Sequence, residues 1–137
     1  MTPRDALDVA RLLLKKARQD EALVRKIGSD TDIADEIVGF HAQQAVEKQL
    51  KAVLTARETP YKKSHELSYL VGLITEEETE APAALEQADT LTDWAVEFRY
   101  EGDTLKGTGD PPPLDRAAAL ALVVDLREWA ETQITGR

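Results

Sequence analysis

Apolar residues recur along this chain at spacings of three and four, the period of an α-helix, and strand-like alternation is nearly absent. The first helix is predicted to begin at the N-cap Thr2, with Pro3 at its first position, because a hydroxyl N-cap accepts a free backbone N–H and proline needs no partner there. The pattern weakens near Gln19, so Ala22–Ile27 is predicted as a short extra turn that ends at Gly28-Ser29. The buried face of the helix consists of Leu7, Ala10, Leu13, Leu14 and Ala17.

The second helix is predicted from Asp30–Asp32 to about Glu58, where Thr59-Pro60 ends it. It is the longest element and is apolar over most of its circumference, which is typical of a central helix. One polar stripe remains, and its spacings of three, four, three and four place its side chains along one edge. The stripe consists of His41, Gln44, Lys48, Lys51 and Thr55.

Three further helices are predicted. A short third helix follows the N-cap Ser64, and the acidic run Glu76–Glu80 connects it to a fourth helix that begins near Pro82 and ends near Arg99-Tyr100. Residues 101–113 contain three glycines and three prolines without periodicity, so they are predicted as a loop. The last helix is predicted from Pro113 or Leu114 to Ile134.

Five helical segments joined by short links predict an all-α fold. We expect an up-and-down antiparallel bundle of four main helices plus a short fifth helical segment. The length of 137 residues is that of one domain, so residues 1–137 are expected to form a single helical domain.

Composition indicates the cellular compartment in which the protein is expected and whether it is expected to contact a membrane. The chain has no cysteine, which excludes disulfides, and no apolar run approaches the ~20 residues of a membrane span. The N-terminus leads into no signal-like apolar segment. We therefore expect a soluble cytoplasmic protein that does not bind membranes.

Charge is unevenly distributed along the chain. The net charge of −9 argues against indiscriminate binding to nucleic acid, which needs many phosphate contacts. The region Lys48–His65 nevertheless contains five Lys and Arg residues and a single acid, Glu58. This basic patch is either an ordinary solvated face or an anion site.

The segment His41–Leu54 resembles the signature helix of the HEPN family, whose name refers to higher eukaryotes, prokaryotes and nucleotide binding. The family pattern is roughly His, two residues, Gln-Ala, one residue, Glu-Lys, one residue, Leu-Lys-Ala. Two further segments are similar in order and spacing: Ser64-His65-Glu66-Leu67, like the family's Thr/Ser-His-x-Leu, and Phe98-Arg99-Tyr100, like its Arg-Tyr pair.

The resemblance implies a helical bundle that forms a homodimer and has a groove for a nucleotide or RNA. It also implies a small nucleotidyltransferase-fold protein as a partner, in many cases within a toxin–antitoxin pair.

The ribonuclease branch of that family uses an Arg followed, after four to six residues, by a His, and this motif is absent here. The matching positions before His41 and His65 contain no Arg, and Arg57 is one residue too far from His65. Because general acid–base cleavage of RNA would lack its usual groups, we favour a binding module over an enzyme and predict no catalytic residue. A degenerate ribonuclease toxin and a purely structural protein-interaction bundle are the alternatives.

Candidate binding residues follow from the polar stripe and the resemblance. Lys and Gln suit phosphate and base contacts, and His65 is predicted at a helix N-terminus, which attracts anions. Simpler roles stay open, since His41 suits a packing histidine, Glu47 with Lys51 a helix-stabilising pair, and His65 a capping turn. With two histidines and no cysteine, no structural zinc site is expected, and no cofactor is predicted. The candidate binding residues are His41, Gln44, Lys48, Lys51, His65, Arg99 and Tyr100.

Overall fold

The computed structural model describes residues 2–77, 82–95 and 113–135, and every regular element in these ranges is helical. This confirms the all-α prediction. Helices α1, α2 and α3 span Pro3–Ile27, Asp35–Ala56 and Leu67–Glu77. A single turn, α4, spans Ala84–Gln87 and continues into a 3₁₀ helix, Ala88–Trp94. The last helix, α5, spans Arg116–Thr135.

Helix α1 differs from its prediction because it is one continuous helix of 25 residues. The cap is as predicted: the Thr2 hydroxyl accepts from the Asp5 backbone N–H at 3.1 Å, and the Asp5 carboxylate accepts from the Thr2 backbone N–H. The apolar pattern weakens at Asp20 and Glu21, yet both are buried and both bind cations of other helices. Ion pairs with other helices therefore stabilise α1 at Asp20 and Glu21, where its apolar pattern is interrupted.

Helix α2 is central and begins later than predicted. Its core side chains include Val38, Val46, Leu50 and Leu54, which are fully buried. It begins at Asp35 because Asp30 is used in a turn, where its carboxylate accepts the Asp32 backbone N–H.

The α1–α2 turn is held to α5 by Arg116. Its guanidinium pairs with Asp35 at 2.9 Å and also donates to backbone carbonyls of residues 27–33, including those of Asp30 and Ile33. The fork of five donors that arginine carries suits this set of acceptors. Arg116 thus fixes the start of α2 against the start of α5.

Helix α1 runs opposite to the two other long helices, α2 and α5. Asp20 of α1 pairs with Lys48, whereas Ala10 packs near Ala52, so α1 and α2 are antiparallel. Ion pairs Arg18–Glu131 and Arg127–Glu21 show that α1 and α5 are also antiparallel.

Helix α3 departs from the predicted up-and-down alternation. The segment 57–66 runs back along α2, since Tyr61 contacts Thr55 and His65 contacts Glu47. Helix α3 then starts near the middle of α2 and ends beside Thr59, whose hydroxyl donates to Glu77. Helix α3 runs parallel to α2, because the segment 57–66 and not α3 reverses the direction of the chain.

The predicted fourth helix is largely different in the structure. The described part of it consists of α4 and the 3₁₀ helix, and the rest lies outside the described residues, as does most of the predicted loop. Thr90 donates to the Gln87 carbonyl and Thr92 to the Asp89 carboxylate. Such local side-chain bonds compete with α-helix formation.

The 3₁₀ helix packs closely on α2 at Gly39. A Cβ at this position would lie 2.6 Å from Trp94 Cδ2. The glycine therefore permits the contact that places Trp94 against α2.

We expect Gly39→Ala to destabilise the protein by about 1–2 kcal/mol, because the overlap with Trp94 outweighs the helix propensity of alanine. Gly72→Ala in α3 is the matched control, since nothing lies within 4 Å of its Cβ position. That variant should gain about 0.5–1 kcal/mol. Urea unfolding followed by circular dichroism measures both, and a stable Gly39→Ala variant would contradict the packing described.

Candidate functional site

Five of the seven candidate binding residues lie in the described part of the chain. His41, Gln44, Lys48 and Lys51 lie on the predicted edge of α2, and His65 lies in the segment before α3. Arg99 and Tyr100 lie outside the described residues. The five residues are divided between two neighbouring networks, each built around one buried carboxylate.

The first network joins α1 to α2 through Asp20. This carboxylate is 9% exposed, and its two oxygens accept from His41 Nδ1 at 3.0 Å and from Lys48 Nζ at 2.5 Å. A carboxylate acceptor fixes the proton of a neutral His41 on Nδ1 and leaves Nε2 as the outer nitrogen. The His41 ring also meets the Phe40 ring edge-to-face, with centroids 5.2 Å apart.

The second network joins the segment 57–66 to α2 through Glu47. This carboxylate is 5% exposed and accepts from Lys51 Nζ, His65 Nδ1 and Gln43 Nε2, each at 2.9 Å. Burial is the largest single influence and raises the pKa of Glu47. The hydrogen bonds from Gln43, Lys51 and His65 outweigh it together, so the net pKa is below the ordinary value.

Gln43 and Gln44 extend the second network across the edge of α2. Gln44 donates to the Gln43 side-chain oxygen at 2.8 Å, and Gln43 also donates to the His65 backbone carbonyl at 3.2 Å. Gln44 thus lies between the two carboxylate networks. The members of the polar stripe follow one another along this edge of α2, and each has a hydrogen-bond partner within the fold.

Three residues of these networks were not predicted: Asp20, Gln43 and Glu47. Asp20 could have been found from the sequence, because Ala10, Ala17 and Val24 define the buried face of α1 and Asp20 lies on the border of that face. An acid at such a position needs a cation, and Lys48 is the cation that the structure supplies. The pair of Glu47 with Lys51, considered above as helix-stabilising, is present at 2.9 Å, and Glu47 is in addition buried.

The simpler roles considered for the histidines hold in part. His41 packs against Phe40 and yet has a side chain that is 28% exposed. Ser64 accepts the Glu66 backbone N–H, so it caps a turn, but α3 begins at Leu67, whose N–H donates to the Thr92 hydroxyl. His65 therefore precedes the helix that it was expected to open.

A continuous surface surrounds these networks, and we call it the α1–α2 face. Asp20 brings the outer edge of α1 next to the polar stripe of α2, while α5 contacts the opposite flanks through Arg127 and Val123. The face comprises Val9, Leu12, Lys16 and Leu23 of α1 and Ile37, His41, Gln44, Lys48 and Lys51 of α2.

The described residues give little support for a binding cavity at the candidate residues, for a metal site or for a membrane span. A cavity of about 290 Å³ between the 3₁₀ helix and α5 is lined partly by Leu91, Trp94 and Leu122, and contains none of the five residues. Within residues 2–77, 82–95 and 113–135, no three His, Asp or Glu side chains are placed to hold a metal ion. No described helix is long and apolar enough to cross a membrane.

We expect Glu47→Gln to lower the free energy of unfolding at pH 7 by about 2–3 kcal/mol, because it leaves the Lys51 ammonium and His65 Nδ1 without the buried carboxylate that accepts from them. Since folding lowers the pKa of Glu47, its stabilisation is complete above the unfolded pKa and is lost as the pH falls through the lower folded pKa.

The variant should therefore show a shallower loss of stability below about pH 4.5 than the wild type. Urea unfolding at several pH values between 3 and 7 measures this. Glu66→Gln is the control, because Glu66 is an exposed acid next to His65. Equal pH profiles for Glu47→Gln and the wild type would contradict the account.

Comparison with known proteins agrees with this architecture. A search of curated proteins finds no matching relative. The crystal structure of an archaeal HEPN homologue matches with a TM-score of 0.53 and 22% identity, over 98% of each chain, which supports the fold alone. The profile of the HEPN domain family matches residues 10–131. This match covers most of the sequence and confirms the resemblance found in its motifs, so the chain belongs to the HEPN family.

Proposed function

We propose that this HEPN protein is a binding module, working as a homodimer, whose α1–α2 face receives the phosphates of a nucleotide or of RNA. The observation that carries this proposal is the uneven distribution of charge along the chain, since both helices that form the face lie in the less acidic part. Residues 1–63 contain twelve Lys and Arg against ten Asp and Glu, whereas residues 64–137 contain five against sixteen. An acidic chain thus has one region where an anion is attracted.

The internal networks limit which cations are available to a ligand. Lys48 and Lys51 are each paired with a buried carboxylate. Lys16 on the face, and Lys62 and Lys63 in the neighbouring segment, are exposed and form no ion pair within the described residues. The Lys62 ammonium lies 4.9 Å from the centre of the Tyr69 ring, a cation–π contact. We therefore expect a modest number of phosphate contacts.

We expect a fluorescein-labelled ten-nucleotide RNA to bind with an affinity that falls about 18-fold between 50 and 200 mM salt, as for roughly three phosphate contacts on a single strand. Lys16→Glu/Lys63→Glu should weaken binding at least tenfold, measured by fluorescence anisotropy. Arg4→Glu/Arg11→Glu makes the same charge change on another side of α1 and is the matched control. Equal losses in the two variants would contradict a site on this face, and 5′-AMP as competitor separates nucleotide from RNA binding.

The same RNA tests the enzyme alternative. Intact RNA on a denaturing gel after incubation agrees with a binding module. Cleavage by the wild type that is lost in His65→Ala/Arg99→Ala would instead support a degenerate ribonuclease.

A second function, protein docking, is favoured by the apolar ends of the α1–α2 face. Val9, Leu12 and Ile37 are large apolar side chains with 38%, 52% and 48% exposure, and Val9 and Leu12 lie at one end of the face and Ile37 at the other. Large apolar side chains exposed on one face favour an interaction surface, because their burial by a partner is stabilising. A second copy of this chain is the first candidate to cover them, and a nucleotidyltransferase-fold protein is a candidate that only the family resemblance implies.

We expect Leu12→Asp/Ile37→Asp to weaken self-association at least tenfold in sedimentation equilibrium, because burial of each side chain contributes about 1.5–3 kcal/mol. Ala117→Asp/Ala121→Asp places the same charges at exposed positions of α5 and serves as the control. A monomeric wild type, or a dimer that both pairs weaken equally, would contradict self-association through this face.

A further inference from the structure

The cavity of about 290 Å³ between the 3₁₀ helix and α5 contains none of the five described candidate binding residues, and we call it the α5 cavity. Its volume is close to the lower limit of small-molecule sites, so a ligand that fits it is small. Its described lining includes the apolar residues Leu91, Trp94, Ala118 and Leu122 and the acids Asp93 and Asp115.

The walls of the α5 cavity are held in place by contacts within the fold. On one side, Trp94 is buried and packs on α2 at Gly39. On the other side, the Leu114 backbone N–H donates to the Asp35 carboxylate at 3.0 Å. The Asp115 carboxylate caps α5, since it accepts the backbone N–H of the third helical residue at 3.0 Å. The cavity is therefore formed before a ligand enters, which reduces the ordering that binding requires.

The charge at the α5 cavity is negative. Asp93 and Asp115 are exposed, and the described lining contains no Lys, Arg or His. Residues 82–95 contain three acids and no basic residue. The nearest cation along α5, Arg116, is directed toward Asp35 and the carbonyls of the α1–α2 turn. The buried part of the lining, which includes Leu122, is by contrast apolar. Two acids at the border of an apolar cavity attract a cation that has an apolar portion.

We propose that the α5 cavity is a second binding site, which takes a small organic cation with an ammonium or amidinium group joined to an apolar body. The apolar body contacts Leu91, Trp94 and Leu122, and its burial supplies most of the affinity. The carboxylates of Asp93 and Asp115 select the sign of the charge, because an anion in the same place meets like charges. The inference goes beyond the proposed function, since the α1–α2 face is proposed to receive anions.

The test compares two probes of similar shape and opposite charge. At pH 7, 2-phenylethylamine is a cation and 3-phenylpropionate an anion. We expect 2-phenylethylamine to shift the backbone amides of residues 87–95 and 114–122 and the Trp94 indole N–H in ¹H–¹⁵N NMR spectra at low salt, with a Kd of about 1 mM or below. The Trp129 indole lies outside the cavity lining and is an internal reference. 3-Phenylpropionate should bind at least about fivefold more weakly.

A charge variant tests the role of the two acids. Asp93→Asn/Asp115→Asn should weaken 2-phenylethylamine about fivefold and should not weaken 3-phenylpropionate. Asparagine is also a good N-cap, so the start of α5 is retained. Asp125→Asn/Glu128→Gln is the matched control, because it removes the same charge from exposed positions of α5 outside the lining.

A cavity-filling variant tests the place of binding. Ala118→Phe adds a ring at an exposed position of the lining, whereas Ala121→Phe adds the same ring at an exposed position of α5 outside it. We expect binding of 2-phenylethylamine to be lost in the first variant and kept in the second, with the helical circular dichroism of both unchanged.

The outcomes concern the α5 cavity alone. Absence of saturable shifts with 2-phenylethylamine, or binding that Ala118→Phe leaves intact, would overturn the site. Equal affinities for the two probes, or equal weakening by the two charge variants, would overturn the selection of a cation. None of the substituted residues belongs to the α1–α2 face, so RNA binding succeeds or fails independently of each result.

Discussion

The burial of two carboxylates beside the central helix is the constraint on which the rest of the structure depends. An ionised carboxylate removed from water is costly unless cations and hydrogen-bond donors surround it. Asp20 meets this need with Lys48 and His41, which ties α1 to α2. Glu47 meets it with Lys51 and His65, which ties the returning segment 57–66 to the same helix. The signature helix of the family is thus also the place where three parts of the chain are joined.

The burial of these carboxylates also determines which cations of the α1–α2 face are available to a ligand. A count of lysines along α2 suggests a basic edge, but Lys48 and Lys51 each neutralise an internal acid. The cations left for an anion are Lys16 and the exposed lysines of the neighbouring segment. If the face receives phosphates as proposed, so few contacts imply weak binding that decreases with salt.

Helix positions and family membership could be predicted from the sequence because both depend on local spacing. The cap at Thr2, the central α2 and the motif from His41 to Leu54 are of this kind. The continuity of α1 could not be predicted, since Asp20 and Glu21 are stabilised by cations 28 and 106 residues away. The direction of α3 and the 3₁₀ form of Ala88–Trp94 depend on tertiary packing and on competing side-chain bonds. For the same reason, the stripe on α2 was predictable but its carboxylate partners were not.

The order of groups in the Asp20 network bears on the choice between the proposed binding function and the enzyme alternative. A ribonuclease site of the family's kind needs an imidazole that exchanges protons and an arginine that stabilises the phosphate in the transition state. Here the carboxylate lies between the imidazole and the ammonium, so the cation nearest to His41 is directed toward Asp20. A phosphate at Nε2 would meet a well-oriented donor without a second cation fixed beside it. Such a contact favours binding of the ground state over acceleration of a reaction, which agrees with the absence of the ribonuclease motif before either histidine.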